Sequence, residues 1–281
     1  MTGPTVVICG HVTLDHLPGG IAPGGSAFYA GRALAALGAA VRVLTAAGPD
    51  FPRHALAGLD VALVASRETT AFVNSYAPDG SRTQRALGSA PALDPARLPA
   101  PWRSPDVLLL APVLGEVDVP AFSAAAGARL VGVSVQGLVR EVGADGAVQA
   151  RRLALDRDDL AGVRVAFVGE DEARGDPGLV HRLSAVVPIV ASTQGARGCE
   201  VFVRGRPRRV GVHPAREVDP TGAGDVFAAA FLLGLSRGDD PVDAARLGAA
   251  AASIAVEGRG GESLARVGEA IERAGRVPVL E

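Results

Sequence analysis

The stretch EVDPTGAGDVFAAAF, residues 217–231, sets Thr-Gly-Ala-Gly directly ahead of an aspartate and then runs into apolar, helix-forming sequence. Glycines at such a junction remove side chains where backbone amides can approach a ligand closely. Unsatisfied N–H groups and the dipole of the following helix both favour negative charge, so residues 221–224 are expected to form an anion pocket, most simply for a phosphate. Asp225 at the edge of that pocket would repel a phosphate unless it has a task there. An obvious task is to take a proton from a hydroxyl as the hydroxyl attacks phosphorus. The plainer alternative is a strand-to-helix turn with Asp225 as its cap, and a Gly-x-Gly turn taken alone favours that alternative.

Composition narrows the chemistry. At 281 residues, 48% of them apolar and 21% charged, with a net charge of −2, the chain reads as a soluble α/β protein with no electrostatic bias toward nucleic acid or an anionic membrane. The opening MTGPTVVICG has neither the basic start nor the long apolar core of a signal peptide, and no segment offers the roughly 20 uninterrupted apolar residues of a membrane span. Cys9 and Cys199 stand far apart without Cys or His company, so a cytoplasmic location is expected, with neither a disulfide nor a zinc framework. All 28 basic residues are arginine. The absence of lysine excludes a Walker-type phosphate loop, Schiff-base chemistry and the strand lysine of protein kinases. Phosphate bound by this chain must rely on backbone amides, arginine and metal.

Short apolar runs recur at 5–9, 41–46, 106–111, 130–135, 163–168 and 187–192, separated by connections long enough for helices. Near-continuous apolar strands in that rhythm predict a mainly parallel sheet covered on both faces. Helices are predicted over 26–38, stopped by Gly38, and over 241–256, opened by Asp240 and Pro241. One stretch departs from the rhythm. In 69–87 two extended segments flank Pro-Asp-Gly, which predicts a β-hairpin, either a decorated loop or a lid. The Pro-rich 91–105 reads as a surface return, with Trp102 as an anchor.

DPTGAGDVFAAAF closely resembles the signature of the ribokinase-like (PfkB) carbohydrate kinases, Asp-Thr-x-Gly-Ala-Gly-Asp followed by an apolar helix. PGGSAFYAGRALAALG (23–38) is similar to the family's paired-glycine sugar motif, and VVICGHVTLDHL (6–17) to its first strand and substrate aspartate. The resemblance spans essentially the whole chain in the family's order. It implies one three-layer α/β domain over 1–281, with a mainly parallel central sheet and a small β-lid around 69–88 plus a short segment around 12–22. It also implies an ATP-dependent kinase acting on a hydroxyl of a sugar or polyol. Asp225 then matches the catalytic base, and the amides of Gly222, Ala223 and Gly224 match the anion hole. Asp15, Gly24 and Gly25 match substrate contacts, as does Tyr29, which stands where ribokinases often place an asparagine. Thr193, Gly195 and Gly198 match a nucleotide-contacting turn. Glu172 matches the residue that helps organise Mg2+ and the phosphates, and Asp219 with Thr221 matches a monovalent-cation site, for K+, found in some members. Lids in this family can also pair two copies into a homodimer.

Departures from the pattern are informative. Gly169 replaces the asparagine of the family's Asn-x-x-Glu element, and Ala249 stands where some members carry an asparagine beside the base. Residues 133–148, 170–173 and 247–258 resemble the plant-type myo-inositol kinase branch, whose strand reads Asp-Ile-Gln followed by an arginine. Ser134, Val135, Gln136 and Arg140 are the parallels here. Gln136 could bond a polyol hydroxyl or simply end a strand. For Arg140, which could face phosphate, a solvated helix arginine is the preferred reading. His11 and His16 are close enough in sequence to Asp15 to approach a substrate, while Arg208 and Arg209 read as a solvated strand end. Two alternatives stand beside the polyol kinase: a nucleoside (adenosine-type) kinase, and a non-catalytic ligand-binding member of the fold.

Overall fold

The computed structural model describes residues 3–17, 19–76, 82–153 and 155–280. From the N-terminus, β1 (Thr5–Cys9) leads to β2 (Thr13–Leu17) and β3 (Gly20–Gly24), then α1 (Ser26–Ala36), β4 (Ala40–Ala47) and β5 (Asp60–Ala65). β6 (Thr70–Tyr76) and β7 (Arg82–Gly88) follow, then β8 (Val107–Leu110), α2 (Val119–Ala126) and β9 (Leu130–Ser134). A short hairpin, β10 (Arg140–Val142) and β11 (Val148–Ala150), precedes β12 (Val165–Val168), α3 (Glu170–Gly175), α4 (Leu179–Val186) and β13 (Ile189–Thr193). The chain ends with β14 (Cys199–Val203), β15 (Arg206–Val210), α5 (Ala223–Arg237), α6 (Pro241–Ala255), α7 (Ala270–Ala274) and β16 (Val279–Leu280).

A ten-stranded sheet runs β16-β15-β14-β13-β12-β9-β8-β1-β4-β5. The segment from β13 to β5 is parallel throughout, and β14, β15 and β16 add an antiparallel edge. Side chains alternate across it as period 2 requires. Val6 and Ile8 join the core shared with α1, α5 and α6, while Val7 and Cys9 join a second core that holds Phe122 of α2 and Leu179 and Leu183 of α4. The result is the three-layer α/β arrangement expected from the apolar runs, each of which overlaps an observed strand. The weakly alternating β5 and the arginine-rich β15 were not legible as parts of the same sheet.

Local signals account for the helices that matter. Asp240 accepts from the amides of Val242 and Asp243 at 2.8 and 3.0 Å, with Pro241 in the first turn of α6. Gly38 follows α1 at φ +83°, a conformation that stops a helix. α5 is buried without interruption from Val226 to Gly234 because it lies between the sheet, α1 and α6. Its approach to the sheet is close: a Cβ at Gly132 of β9 would stand 2.6 Å from a Leu232 methyl.

A second sheet, ordered β3-β2-β6-β7, stands apart from the first. It contains the hairpin read in 69–87, with β6 and β7 antiparallel; the Pro-Asp-Gly turn at 78–80 lies outside the described residues. The tip of the β10–β11 hairpin is tied to β7: the Ala86 amide donates to Gly146 O at 2.9 Å, and the Arg85 guanidinium bonds Asp145 O. The Pro-rich return is pinned by buried Leu93, Leu98 and Trp102.

Candidate active site

The C-terminal ends of β1, β9, β12 and β13 open onto one edge of the parallel sheet, where open α/β folds bind ligands. The residues around 219–225 are held there from two sides. The amides of Val218 and Asp219 both donate to Val256 O, while the Asp219 carboxylate accepts from Thr221 N at 2.9 Å and Gly260 N at 3.1 Å. Gly222 then turns at φ 78° to open α5. The amide of Ala223 closes a turn onto Pro220 O at 3.2 Å, whereas those of Gly222, Gly224 and Asp225 have no hydrogen-bond partner among the described residues. The expected trio of Gly222, Ala223 and Gly224 is thus corrected at one position, because a backbone turn already uses the Ala223 N–H. A Cβ on Gly224 would meet nothing within 4 Å, so the helix start opens onto free space.

Asp225 stands in the first turn of α5. Burial is the main force on its carboxyl and pushes its pKa up to about 6; Glu172 and Asp15 push the same way, while Ser26 and Arg140 oppose them. The Ser26 hydroxyl, 2% exposed, has no hydrogen-bond partner. It is close enough to Asp225 to favour the ionised carboxylate.

On the second sheet, Asp15 of β2 is 8% exposed and accepts from the Thr13 hydroxyl at 3.2 Å. The paired glycines serve it. A Cβ on Gly24 would stand 2.3 Å from Asp15 Oδ2, and one on Gly25, at φ +87°, would stand 2.6 Å from His11 O. Both glycines therefore shape the pocket through protein atoms. Tyr29 is 3% exposed, stacked edge-on against Phe28, with its ring over Gly222, where any Cβ would lie 2.3 Å from the ring. Burial, then Asp15, Asp219 and Asp225, hold the Tyr29 hydroxyl protonated well above the ordinary phenol range. Gln136 is half-buried at the end of β9.

Across the opening, residues 193–198 form a tight turn in which Gln194 N donates to Gly198 O and Gly198 N to Gly195 O. Thr193 bonds Val168 O at 3.4 Å, and Gly195 takes φ +56°. Gly198 is glycine because a Cβ there would stand 2.1 Å from Val210 O. Arg197 latches this turn to Glu170 at 3.2 Å, and Arg174 holds Glu170 at 2.8 Å. Glu172 pairs with Arg140 at 3.6 Å. No cluster of three or more metal-type side chains occurs among the described residues.

Three readings need correction. His11 does not line the pocket: it is fully buried, with Nε2 bonded to Pro91 O at 3.0 Å and Nδ1 to the Thr70 hydroxyl at 2.9 Å. His16 neighbours Asp15 on β2 and so points to the opposite face of the second sheet. Arg140 is no solvated helix arginine; it opens strand β10 with its side chain 11% exposed. Sequence reading also missed Ser26, and Glu116, a buried carboxylate that accepts from the amides of His11, Val113 and Leu114. A lone serine or glutamate carries no spacing signal that could have revealed them.

Comparison with known proteins agrees with this architecture. Residues 157–266 match the model of the pfkB family carbohydrate kinases. An inositol 3-kinase of Oryza sativa subsp. japonica is 31% identical over 280 residues, spanning 91% of this chain and 69% of that protein. A cytidine kinase of Thermococcus kodakarensis is 28% identical over 267 residues, spanning 86% and 92%. Among solved structures, a pyrophosphate-dependent myo-inositol-1 kinase converted by mutation into a myo-inositol-3 kinase superposes with a TM-score of 0.79 at 21% identity, covering 95% of this chain and 98% of that one. With that architecture, the open helix start at Asp225 and these relatives, the chain belongs to the pfkB family of carbohydrate kinases.

Proposed function

We propose that the protein transfers the terminal phosphoryl group of ATP to a hydroxyl of a cyclic polyol of the myo-inositol type. The observation that carries the reading is the start of α5, where Asp225 stands beside three unpartnered amides and an open Gly224. The acceptor oxygen forms its bond to phosphorus as the bond to the bridging oxygen breaks, and the hydroxyl proton passes to Asp225. With its pKa near 6, Asp225 is ionised at neutral pH and basic enough to take that proton. The amides of Gly222, Gly224 and Asp225 meet the negative charge on the phosphoryl oxygens.

Magnesium, when bound with the nucleotide, neutralises phosphate charge. Such sites need only one or two carboxylates besides the phosphates, a requirement that Glu172, with Glu170 and Asp171 nearby, fits. Thr193, Gly195 and Gly198 form the nucleotide side. A monovalent cation such as K+ would sit by Asp219 and Thr221, where the Asp219 carboxylate is fixed by the amides of Thr221 and Gly260. The lid sheet would exclude water from the transfer.

The polyol assignment is supported by the rice relative, by the branch resemblance through Gln136, and by the polar set of Asp15, Gln136 and the Tyr29 hydroxyl. A ring bearing only hydroxyls needs such groups around its rim. A nucleoside acceptor is the second reading, favoured by the likeness to the cytidine kinase over nearly its whole length. Pyrophosphate is the second donor, because a similar fold is described as pyrophosphate-dependent. Steady-state rates for myo-inositol, ribose, fructose, cytidine and adenosine, each with ATP and with pyrophosphate, decide among them. Myo-inositol with ATP should give the highest kcat/KM. A tenfold or greater advantage for ribose or a nucleoside would overturn the polyol assignment. Binding without turnover of any acceptor would leave a ligand sensor.

A further inference from the structure

α1 begins one residue after the paired glycines, and its first residue carries a hydroxyl that the helix does not use. A serine at a helix start ordinarily caps it from the position just ahead. Here Gly25 holds that position, at φ +87° and with no side-chain cap bond, so Ser26 stands inside the first turn. Its hydroxyl is 2% exposed and has no hydrogen-bond partner. Alanine would form the helix better and would leave no buried polar atom unpaired, so the hydroxyl is costly to the fold. Its surroundings show what it faces. Tyr29, one turn further and on the same face of α1, lays its ring over Gly222, and Asp225 follows Gly222 by one turn of α5. The two helices pack together, so their starts meet at that contact. Ser26 thereby comes up to Asp225, where it is the strongest of the groups that favour the charged carboxylate, ahead of Arg140.

We propose that Ser26 is a positioning residue for the base: its hydroxyl donates to one carboxylate oxygen of Asp225 and leaves the other turned toward the acceptor hydroxyl. The inference rests on the kinase reading centred on Asp225. An aspartate carboxylate turns easily about its last bond, and a base that turns offers its lone pair in the wrong direction for part of the time. A hydrogen bond to one oxygen removes that freedom. Serine suits the task because its hydroxyl donates to an ionised carboxylate and, by turning its hydrogen, accepts from a protonated one. During transfer the acceptor oxygen bonds to phosphorus, and the bond to the bridging oxygen breaks with its electron pair leaving on the shortened donor. The acceptor proton goes to Asp225, and Ser26 keeps its own proton throughout. The same contact tunes the base. Burial disfavours the charge on Asp225, and a donor on one oxygen offsets part of that effect.

The test combines a pH–rate profile with a measurement that needs no substrate. In Ser26→Ala the acidic limb of log kcat/KM, expected near pH 6 in the wild type, should move up by about one pH unit. On the plateau above about pH 8, kcat should fall by about three- to tenfold while the donor KM stays within about twofold. Ser26→Thr keeps the hydroxyl and should return the limb to its wild-type place. Should the added methyl prevent folding, Ser26→Cys, a weak donor of similar size, should give a limb between those of wild type and Ser26→Ala. Denaturant midpoints without ligand supply the second readout. The lost bond stabilises only ionised Asp225, so Ser26→Ala should lose stability relative to wild type as pH rises through about 6 to 7. In an Asp225→Asn background the same substitution should give a difference that does not vary with pH. An unmoved limb in Ser26→Ala, or a stability difference that is the same at every pH with Asp225 present, overturns the proposal. A wild type inactive with every acceptor and donor would instead sink the kinase reading, and the stability comparison would still judge Ser26.

Discussion

At the start of α1, Gly24 and Gly25 are enclosed by the protein; at the start of α5, Gly224 looks into open space. The two motifs read alike in sequence, paired or spaced glycines ahead of an alanine-rich helix. Their physical reasons differ. Gly24 leaves room for the Asp15 carboxylate, and Gly25 lets the backbone pass His11 O at a φ that other residues avoid. Gly222 in turn lies under the Tyr29 ring. Of the four, only Gly224 has no protein atom within 4 Å of where a Cβ would stand. One glycine pair is closed over by protein atoms, and the other leaves a position open at the start of a helix.

The contrast can be broken most severely at Asp225. Asp225→Asn should lower kcat by roughly 10²–10⁴-fold with donor affinity nearly unchanged, since the amide keeps the shape and loses the base. Stability should move the other way. The folded-state pKa of Asp225 is raised, so its favourable contribution is full below the unfolded carboxylate value and is lost as pH rises through about 6. At neutral pH the ionised side chain is therefore destabilising, and Asp225→Asn should raise stability by about 1–3 kcal/mol there, with the difference fading toward pH 4. Denaturant melts at neutral and acidic pH measure it, and a variant less stable than wild type at both would contradict the assigned burial.

Gly224→Val comes next. If the space beside it belongs to the phosphoryl group, kcat should fall by about 10–10²-fold, more than KM rises, with an unchanged melting temperature. An unaltered kcat would make the α5 start an ordinary turn and erase the contrast.

A smaller effect separates the base from its surroundings. Log kcat/KM should decline with unit slope below about pH 6, or about tenfold per pH unit, because protonated Asp225 cannot accept the hydroxyl proton. A limb near the ordinary carboxylate range would mean that burial does not govern this group.

Gly24→Ala should act on the acceptor side alone. Its Cβ would displace Asp15, so the acceptor KM should rise by about tenfold while kcat and donor KM change little. Equal losses on donor and acceptor would show that the two glycine motifs form one unit.

The outcome at Arg140 shows how far local reading carries. An arginine in a polar stretch is most often solvated, and nothing within residues 136–144 indicates that Glu172, from another strand–helix unit, will meet it. His11 shows the reverse error. Its closeness to Asp15 in sequence suggested a pocket residue, yet the fold buries it fully, and Thr70 and Pro91 take both ring nitrogens. Glu116 was unreadable for the same reason, since one of its amide partners, His11, is 105 residues away.

What the sequence determined by itself was whatever repeats or is contiguous. The apolar runs dictated a parallel sheet covered on both faces, because alternate residues of each must be buried on opposite sides. Asp240 with Pro241, and Gly38, marked helix ends through local backbone chemistry. Thr-Gly-Ala-Gly-Asp marked a glycine-built helix start with a carboxylate beside it, because the terminal amides and that carboxylate lie within one turn. Only the tertiary structure decided which glycines make room for protein atoms, which amide a turn consumes, and which carboxylate meets which arginine. Those outcomes depend on distances between segments far apart in the chain, and such distances exist only once the sheet and its helices have packed.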